Sequence, residues 1–236
     1  MDEAWKTAHA DFLSSLSVSE LEDLLHRASR VRLARRRHVF AAGDRSGAIY
    51  IVASGCIKLY QLTPGGREII LWFSFPGEIF GVAESIRGSV REISAEANTA
   101  TELLVLEQDD FLAFLAKHPQ AALRAIGILS ARIRTLGSAL VDIAADDVET
   151  RLTRLLLRFS AGSLPPPCAL VRVSDEICVN IDLTRTDVAH LVGTTRQTAT
   201  TLLARLHRDG LIRPVSRHLH IVDPARLRSR CESEGL

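Results

Sequence analysis

The sequence predicts a mixed α+β chain: a β-rich jelly roll, then one long helix, then a winged helix-turn-helix. Three observations carry this. Residues 38–108 hold short β-rich runs between turn signals. Residues 126–143 carry an apolar heptad repeat. Residues 184–210, TRTDVAHLVGTTRQTATTLLARLHRDG, have the pattern of two short helices joined by a tight turn. The 236 residues are long enough for two domains, and 47% hydrophobic with 24% charged is ordinary for a soluble globular protein. With no membrane-length apolar run and no signal pattern, a cytoplasmic protein without a membrane partner is expected. Cys56, Cys168, Cys178 and Cys231 lie far apart without a CxxC pair, which signals neither a metal site nor a disulfide framework.

Residues 7–30 read as helical, with Phe12, Leu13 and Leu16, then Ser19 as the cap ahead of Leu21, Leu24 and Leu25. Arg35-Arg36-Arg37 reads as a solvated basic face. Strands are expected at 38–41, 48–53, 56–62, 68–73, 79–82, 93–97 and 102–107, with turns at Gly43-Asp44, Ser54-Gly55, Pro64-Gly65-Gly66 and Pro76-Gly77. Many short strands at this spacing predict a sandwich or jelly roll. The region has no nucleophile elbow, metal-spaced His/Glu pair or phosphate loop, so no catalytic and no metal-binding residues are expected.

A short helix at 109–118 stops before Pro119, and a long helix follows from about 120 to 142. Ile126, Ile133 and Leu140 recur at one heptad position and Leu129, Leu136 and Ile143 at the other. β-Branched residues at a with leucine at d favour a parallel two-stranded coiled coil, hence a homodimer. Packing of this stripe on its own barrel is the competing reading. Leu123 and Ala131 form a separate apolar set suited to the barrel. Asp146-Asp147 marks a hinge, 148–159 a helix, SAGSLPPP at 160–167 a loop, and 169–181 a hairpin.

In 184–210, Thr184 is the expected N-cap with Asp187 at the capping-box position. Gly193 suits the left-handed turn, and Thr194 or Thr195 caps the second helix. Ala199, Leu202, Leu203 and Leu206 form its buried stripe. That leaves Arg196, Gln197, Thr200 and Thr201 free near its amino-terminal end. Arginine pairs with guanine and glutamine with adenine in the major groove. Residues 185–217 carry six Arg against two Asp, in a chain of net charge +1. Residues 211–222 suggest a wing whose Arg213, Arg217 and His218 reach phosphate. The candidate DNA contacts are Thr194, Thr195, Arg196, Gln197, Thr200, Thr201, Arg205 and Arg217.

The order of β-roll, long helix, hinge and winged helix resembles the CRP/FNR family of bacterial transcription regulators over about residues 10–225. The resemblance is strongest in GTTRQTATTLLARLHRDGLI and in the segment Gly55, Tyr60, Gly66-Arg67-Glu68-Ile69 and Pro76-Gly77-Glu78-Ile79-Phe80-Gly81. It implies a cyclic-nucleotide-binding-like roll at 1–118, a dimerisation helix and hinge at 119–146, and a DNA-binding domain at 147–236. It implies double-stranded DNA, a second copy of the chain and RNA polymerase as partners. Arg196 and Gln197 match the family's base-reading residues, while Thr201 stands where many members have arginine.

By the same resemblance, the effector pocket would involve Gly81, Val82, Ala83, Glu84, Arg91, Glu92, Ile133, Leu136 and Leu140. Members that bind cyclic AMP hold ribose with Gly-Glu and phosphate with Arg-Ser, where this chain has Gly81-Val82 and Arg91-Glu92. Leu136-Gly137 replaces their Thr-Ser pair on the long helix. These departures argue against cyclic AMP. The amino-terminal Cys group of the iron–sulfur members is absent. The carbon-monoxide-sensing haem members share Gly-Thr-Thr-Arg-Gln-Thr-Ala-Thr-Thr, but their ligands fall at Gly81 and Ala83. Haem through His38 or Cys56 stays open, and the effector is unassigned. The expected function is sequence-specific transcription regulation on a near-palindromic site. The alternative is a regulatory or protein-interaction module without sequence-specific DNA binding.

Overall fold

A computed structural model describes residues 11–160, 176–179, 181–215 and 218–232. The chain forms two compact units, residues 9–134 and, principally, 135–236. In the first unit, α1 (Val18–Arg27) is followed by β1 (Ser29–Leu33), β2 (His38–Phe40), β3 (Ala48–Ser54), β4 (Ile57–Leu62), β5 (Glu68–Ser74) and β6 (Ile79–Phe80). Then come α2 (Val82–Arg87), β7 (Ser94–Ala97), β8 (Thr101–Glu107), α3 (Gln108–Lys117) and the long α4 (Pro119–Ala145), whose residues from 135 on belong to the second unit. The strands make two sheets, ordered β1-β8-β3-β6 and β2-β7-β4-β5, all pairs antiparallel.

Alternation along these strands builds the core. Phe40, Ile57, Leu59, Ala95 and Ala97 of one sheet meet Val52, Phe80 and Leu103 of the other. Ile49, Ile51, Leu104 and Leu106 use the opposite face of their sheet to pack on Phe12, Leu24, Phe111, Phe114, Ala121, Ala125 and Ile128. A register shift between Leu59 and Tyr60 changes which β5 residues face inward.

Several expectations are corrected here. The cap of α1 is Ser17, not Ser19: its hydroxyl accepts from Glu20 N–H while Glu20 accepts from Ser17 N–H at 2.7 Å. The predicted helix at 7–30 ends early, because residues 29–33 form an edge strand. Its Arg30 and Arg32 donate to Glu102 on β8, at 2.7 and 2.9 Å. α2, between Gly81 and Gly88 at φ +74° and +64°, was not foreseen, and its first residue, Val82, was expected to end a strand.

α4 presents unlike faces. Ala121, Ala125, Ile128 and Ala131 are buried, as the helical spacing of a barrel-facing stripe requires. Leu123, expected on the barrel side, is exposed, as are Ile126, Ile133, Leu140, Val141 and Ile143. Leu129 is partly buried against the roll's own core, and Leu136 is half-buried.

The second unit adds α5 (Val148–Ser160), β9 (Ile177–Cys178), α6 (Arg185–Leu191), α7 (Arg196–Arg208), β10 (Ile212–Val215), β11 (His218–Ile221) and α8 (Pro224–Glu232). β10, β11 and β9 form a three-stranded sheet in that order. Most of the hairpin expected at 169–181 lies outside the described residues, and α8 was not foreseen. Cys178 is disulfide-bonded, a pairing that its sequence spacing does not signal. No helix among the described residues is long and apolar enough to cross a membrane.

Candidate nucleic-acid interface and sensor interior

Local chemistry sets the two helices of the reading unit. Thr184 Oγ1 accepts from Asp187 N–H at 3.1 Å, and the Asp187 carboxylate accepts from Thr184 N–H at 2.9 Å. Both halves of the capping box hold, so α6 starts where the sequence predicts. Gly193, at φ +69°, turns the chain. Thr195, rather than Thr194, caps α7 by accepting from Thr198 N–H at 3.1 Å. Ala199, Leu203 and Leu206 are buried on α7, as are Val188 and Val192 at α6, and this seam seats one helix on the other.

The opposite face of α7 is open. Thr195, Arg196, Gln197 and Thr201 are exposed, while Thr194 and Thr200 are half-buried. The amino-terminal end of α7, where a helix dipole favours anions, therefore carries an arginine and a glutamine in solvent. Thr200 Oγ1 donates to Arg196 O at 2.7 Å and Thr201 Oγ1 to Gln197 O at 3.1 Å.

Arg205 differs from the other candidates. It donates to Glu149 of α5 at 2.7 Å, and Glu149 also holds Arg230 of α8 at 2.8 Å. Its charge is thus already matched within the unit. In the wing, Arg213 donates to Glu176 at 2.7 Å, with His220 Nδ1 3.4 Å from the same carboxylate. The Arg213 hydrogen bond holds the Glu176 carboxyl below its ordinary range. Arg217 lies outside the described residues.

The segment expected as a hinge is a polar joint. Asp147 Oδ1 accepts from Thr150 N–H at 2.7 Å, capping α5. Arg151 donates to Asp146 O at 2.6 Å and to Val192 O at 2.9 Å, joining the end of α4 to the end of α6. Asp142 takes Arg154 at 3.3 Å and also Arg158. Sequence reasoning found the Asp pair but not these arginines. The spacing from Asp147 to Thr150 was the available signal.

The roll treats its arginine differently. Arg91, the match to a phosphate-holding residue, is 2% exposed. Its Nη1 donates to Gly81 O at 2.8 Å and its Nη2 to Ala48 O. The guanidinium lies 4.3 Å from the Phe40 ring centre and 5.7 Å from that of Tyr50. Phe80 stacks on Tyr50 at 5.2 Å, and burial raises the Tyr50 phenol's pKa. Glu84 stands 3.7 Å from Arg91 Nη1. Gly81 is required here, since a Cβ would sit 2.9 Å from Arg91 Nη1 at φ +74°.

Of the sequence-derived pocket residues, Gly81, Glu84 and Arg91 therefore come together. Val82 is a buried core residue, and Ala83 and Glu92 are exposed. The carboxylate beside Arg91 is Glu84 rather than Glu92. Ile133 is exposed, and Leu136 and Leu140 fall in the other compact unit. Sequence reasoning missed Phe40, Tyr50 and Phe80, and also Arg132. Arg132 stacks 4.9 Å from the Trp72 ring centre, donates to Glu78 at 3.1 Å and to Ile79 O at 3.2 Å, and continues the barrel-facing spacing of Ala125 and Ile128. Among the described residues no group of three or more His, Cys, Asp or Glu could hold a metal ion.

These features define the class: a winged helix-turn-helix protein carrying a β-roll of the cyclic nucleotide-binding kind. Comparison with known proteins agrees. The cyclic nucleotide-binding domain family matches residues 30–118, and the Crp-like helix-turn-helix domain family matches residues 150–230. The chain is 30% identical over 217 residues to the nitrogen fixation regulation protein FixK of Bradyrhizobium diazoefficiens, covering 91% of this chain and 86% of that one. It is 28% identical over 223 residues to the CRP-like cAMP-activated global transcriptional regulator of Mycobacterium tuberculosis, covering 94% and 97%. Among solved structures, the c-di-GMP responsive global regulator CLP of Xanthomonas campestris superposes with a TM-score of 0.75 at 26% identity, covering 88% of this chain and all of that one. The chain belongs to the CRP/FNR family of transcription regulators, and its carboxyl-terminal part is their DNA-binding domain.

Proposed function

We propose that the chain acts as a homodimer on a near-palindromic DNA site, under control of an effector in the β-roll other than cyclic AMP. The observation that carries the dimer is the apolar stripe of α4 left in solvent. Ile126 is 58%, Ile133 70%, Leu140 68% and Ile143 52% exposed, at heptad-compatible spacing. A stripe of this length is costly in water and is covered when two helices pair. Leu129 and Leu136 flank it, and Leu123 extends it. Residues 1–118 sense, 119–146 pair the subunits and form the hinge, and 147–236 read DNA.

Two-fold symmetry places two α7 helices about 34 Å apart, in successive major grooves. Arg196 and Gln197 read bases at each half-site. Thr194, Thr195, Thr200 and Thr201 line the same interface, the sequence adds Arg217 as a further contact, and Arg205 reaches phosphate by leaving Glu149. Regulation of transcription then runs through RNA polymerase.

Two facts argue against cyclic AMP. Val82 replaces the ribose-binding carboxylate, and the Arg91 donors are already given to Gly81 and Ala48 carbonyls, with Glu84 beside them. An effector shifts the dimer only by its differential affinity for two arrangements. Selection from a randomised duplex library tests the DNA claim: inverted repeats should emerge, and a lack of any enriched sequence would overturn it. Calorimetric titration with cyclic AMP should show no binding. An absorption spectrum of fresh protein separates the remaining classes, a Soret band assigning haem and broad visible absorption an iron–sulfur cluster.

A further inference from the structure

The hydroxyl protons of Thr200 and Thr201 are already given away. Each threonine sits one helical turn after a base-reading residue and donates to that residue's carbonyl, at 2.7 Å to Arg196 O and 3.1 Å to Gln197 O. Such back-bonding is a common habit of helical threonine. Its consequence here is chemical. Thr201 is exposed on the same face as Gln197. With its proton committed, it can offer DNA only a methyl group and an oxygen lone pair.

The major-groove edge of guanine presents two acceptors, N7 and O6. A side chain without a free proton has nothing to give them. Thymine presents a C5 methyl, which suits the threonine methyl, and its partner adenine presents an N6 amino donor, which suits the lone pair. We propose that Thr201 is a specificity-determining residue that selects an A·T pair in each half-site through contact with the thymine methyl, a group that neither guanine nor cytosine offers; the lone pair alone would accept from cytosine N4 as readily as from adenine N6. Gln197, one turn earlier, favours adenine, so the two residues together read an A·T-rich step. The inference rests on the reading of α7 as a sequence-specific DNA reader.

The test uses the full chain and its Thr201→Arg and Thr201→Ser variants. Each is put through duplex selection, with thermal unfolding as a check that these surface changes leave the fold intact. Gel-shift titrations on the selected site then replace each thymine by uracil, which removes only the C5 methyl. Thr201→Arg should move one base pair per half-site from A·T to G·C. At that pair, uracil should weaken wild-type binding about fourfold per half-site, the weight of one buried methyl group, and should not weaken Thr201→Ser. The proposal is overturned if wild type prefers guanine there, if no position changes in Thr201→Arg, or if Thr201→Ser still distinguishes thymine from uracil. Failure of wild type to enrich any sequence would instead remove the DNA-reading function, and this proposal with it.

Discussion

Arg91 and Arg196 are both arginines that the sequence pattern marks as ligand contacts, yet they occupy opposite conditions. Arg91 is buried in the roll, donates to two backbone carbonyls and stacks on Phe40. Arg196 stands in solvent in the first turn of α7. A buried guanidinium bonded to carbonyls belongs to the fold, and a ligand must break those bonds to use it. An exposed one exchanges water for a base edge at little cost. The roll repeats its habit with Arg132, held between Trp72 and the buried Glu78. The reading unit keeps its buried seam apolar and spends its polar residues outward.

The largest expected effect concerns the exposed apolar stripe of α4. Ile133→Asp should give a monomer by sedimentation, and should weaken DNA binding by a factor of about 100 or more, as the second half-site becomes a separate encounter. A persisting dimer would place the seam elsewhere. Next, Arg132→Ala should lower unfolding stability by about 3–5 kcal/mol, because it leaves the buried Glu78 carboxylate without its cation. A loss under 1 kcal/mol in chemical denaturation would mean that this arginine is not the structural element described above. Arg196→Ala should do the reverse, leaving denaturation unchanged while costing about 1–3 kcal/mol in binding and relaxing one base preference.

How legible these regions were follows the range of the interactions that set them. The helix-turn-helix was read closely because its determinants are local: Thr184 with Asp187, Gly193 at the turn, and Thr195 with Thr198. The strands from 48 to 107 were found as short β-rich runs between turn signals, which are also local. The strand Ser29–Leu33 was missed because it is a polar edge whose arginines are held by Glu102, seventy or more residues away. The Arg91 site was half legible. Its glycine and arginine stood in the sequence, but the aromatic box of Phe40, Tyr50 and Phe80 depends on sheet pairing. Leu123 was misplaced because a helix with apolar residues on two faces does not say which face meets its own barrel.

The smallest expected effect lies in the wing. The Glu176 carboxyl is held below its ordinary 4.5, chiefly by Arg213. A depressed folded value means that the pair contributes above the unfolded pKa and is lost as pH falls toward the folded one. Glu176→Gln should therefore cost at most about 1 kcal/mol at neutral pH. The gap to wild type should close as thermal unfolding is followed below pH 4.5. A gap that persists in acid would show that the ion pair is not its source.

The most direct test is the mass of the full chain, free and on a selected duplex, by analytical ultracentrifugation. The expected result is twice the 25.9 kDa chain mass in free solution, and two chains on one duplex carrying inverted half-sites. A free species of one chain mass, or a single chain saturating the duplex, would contradict it.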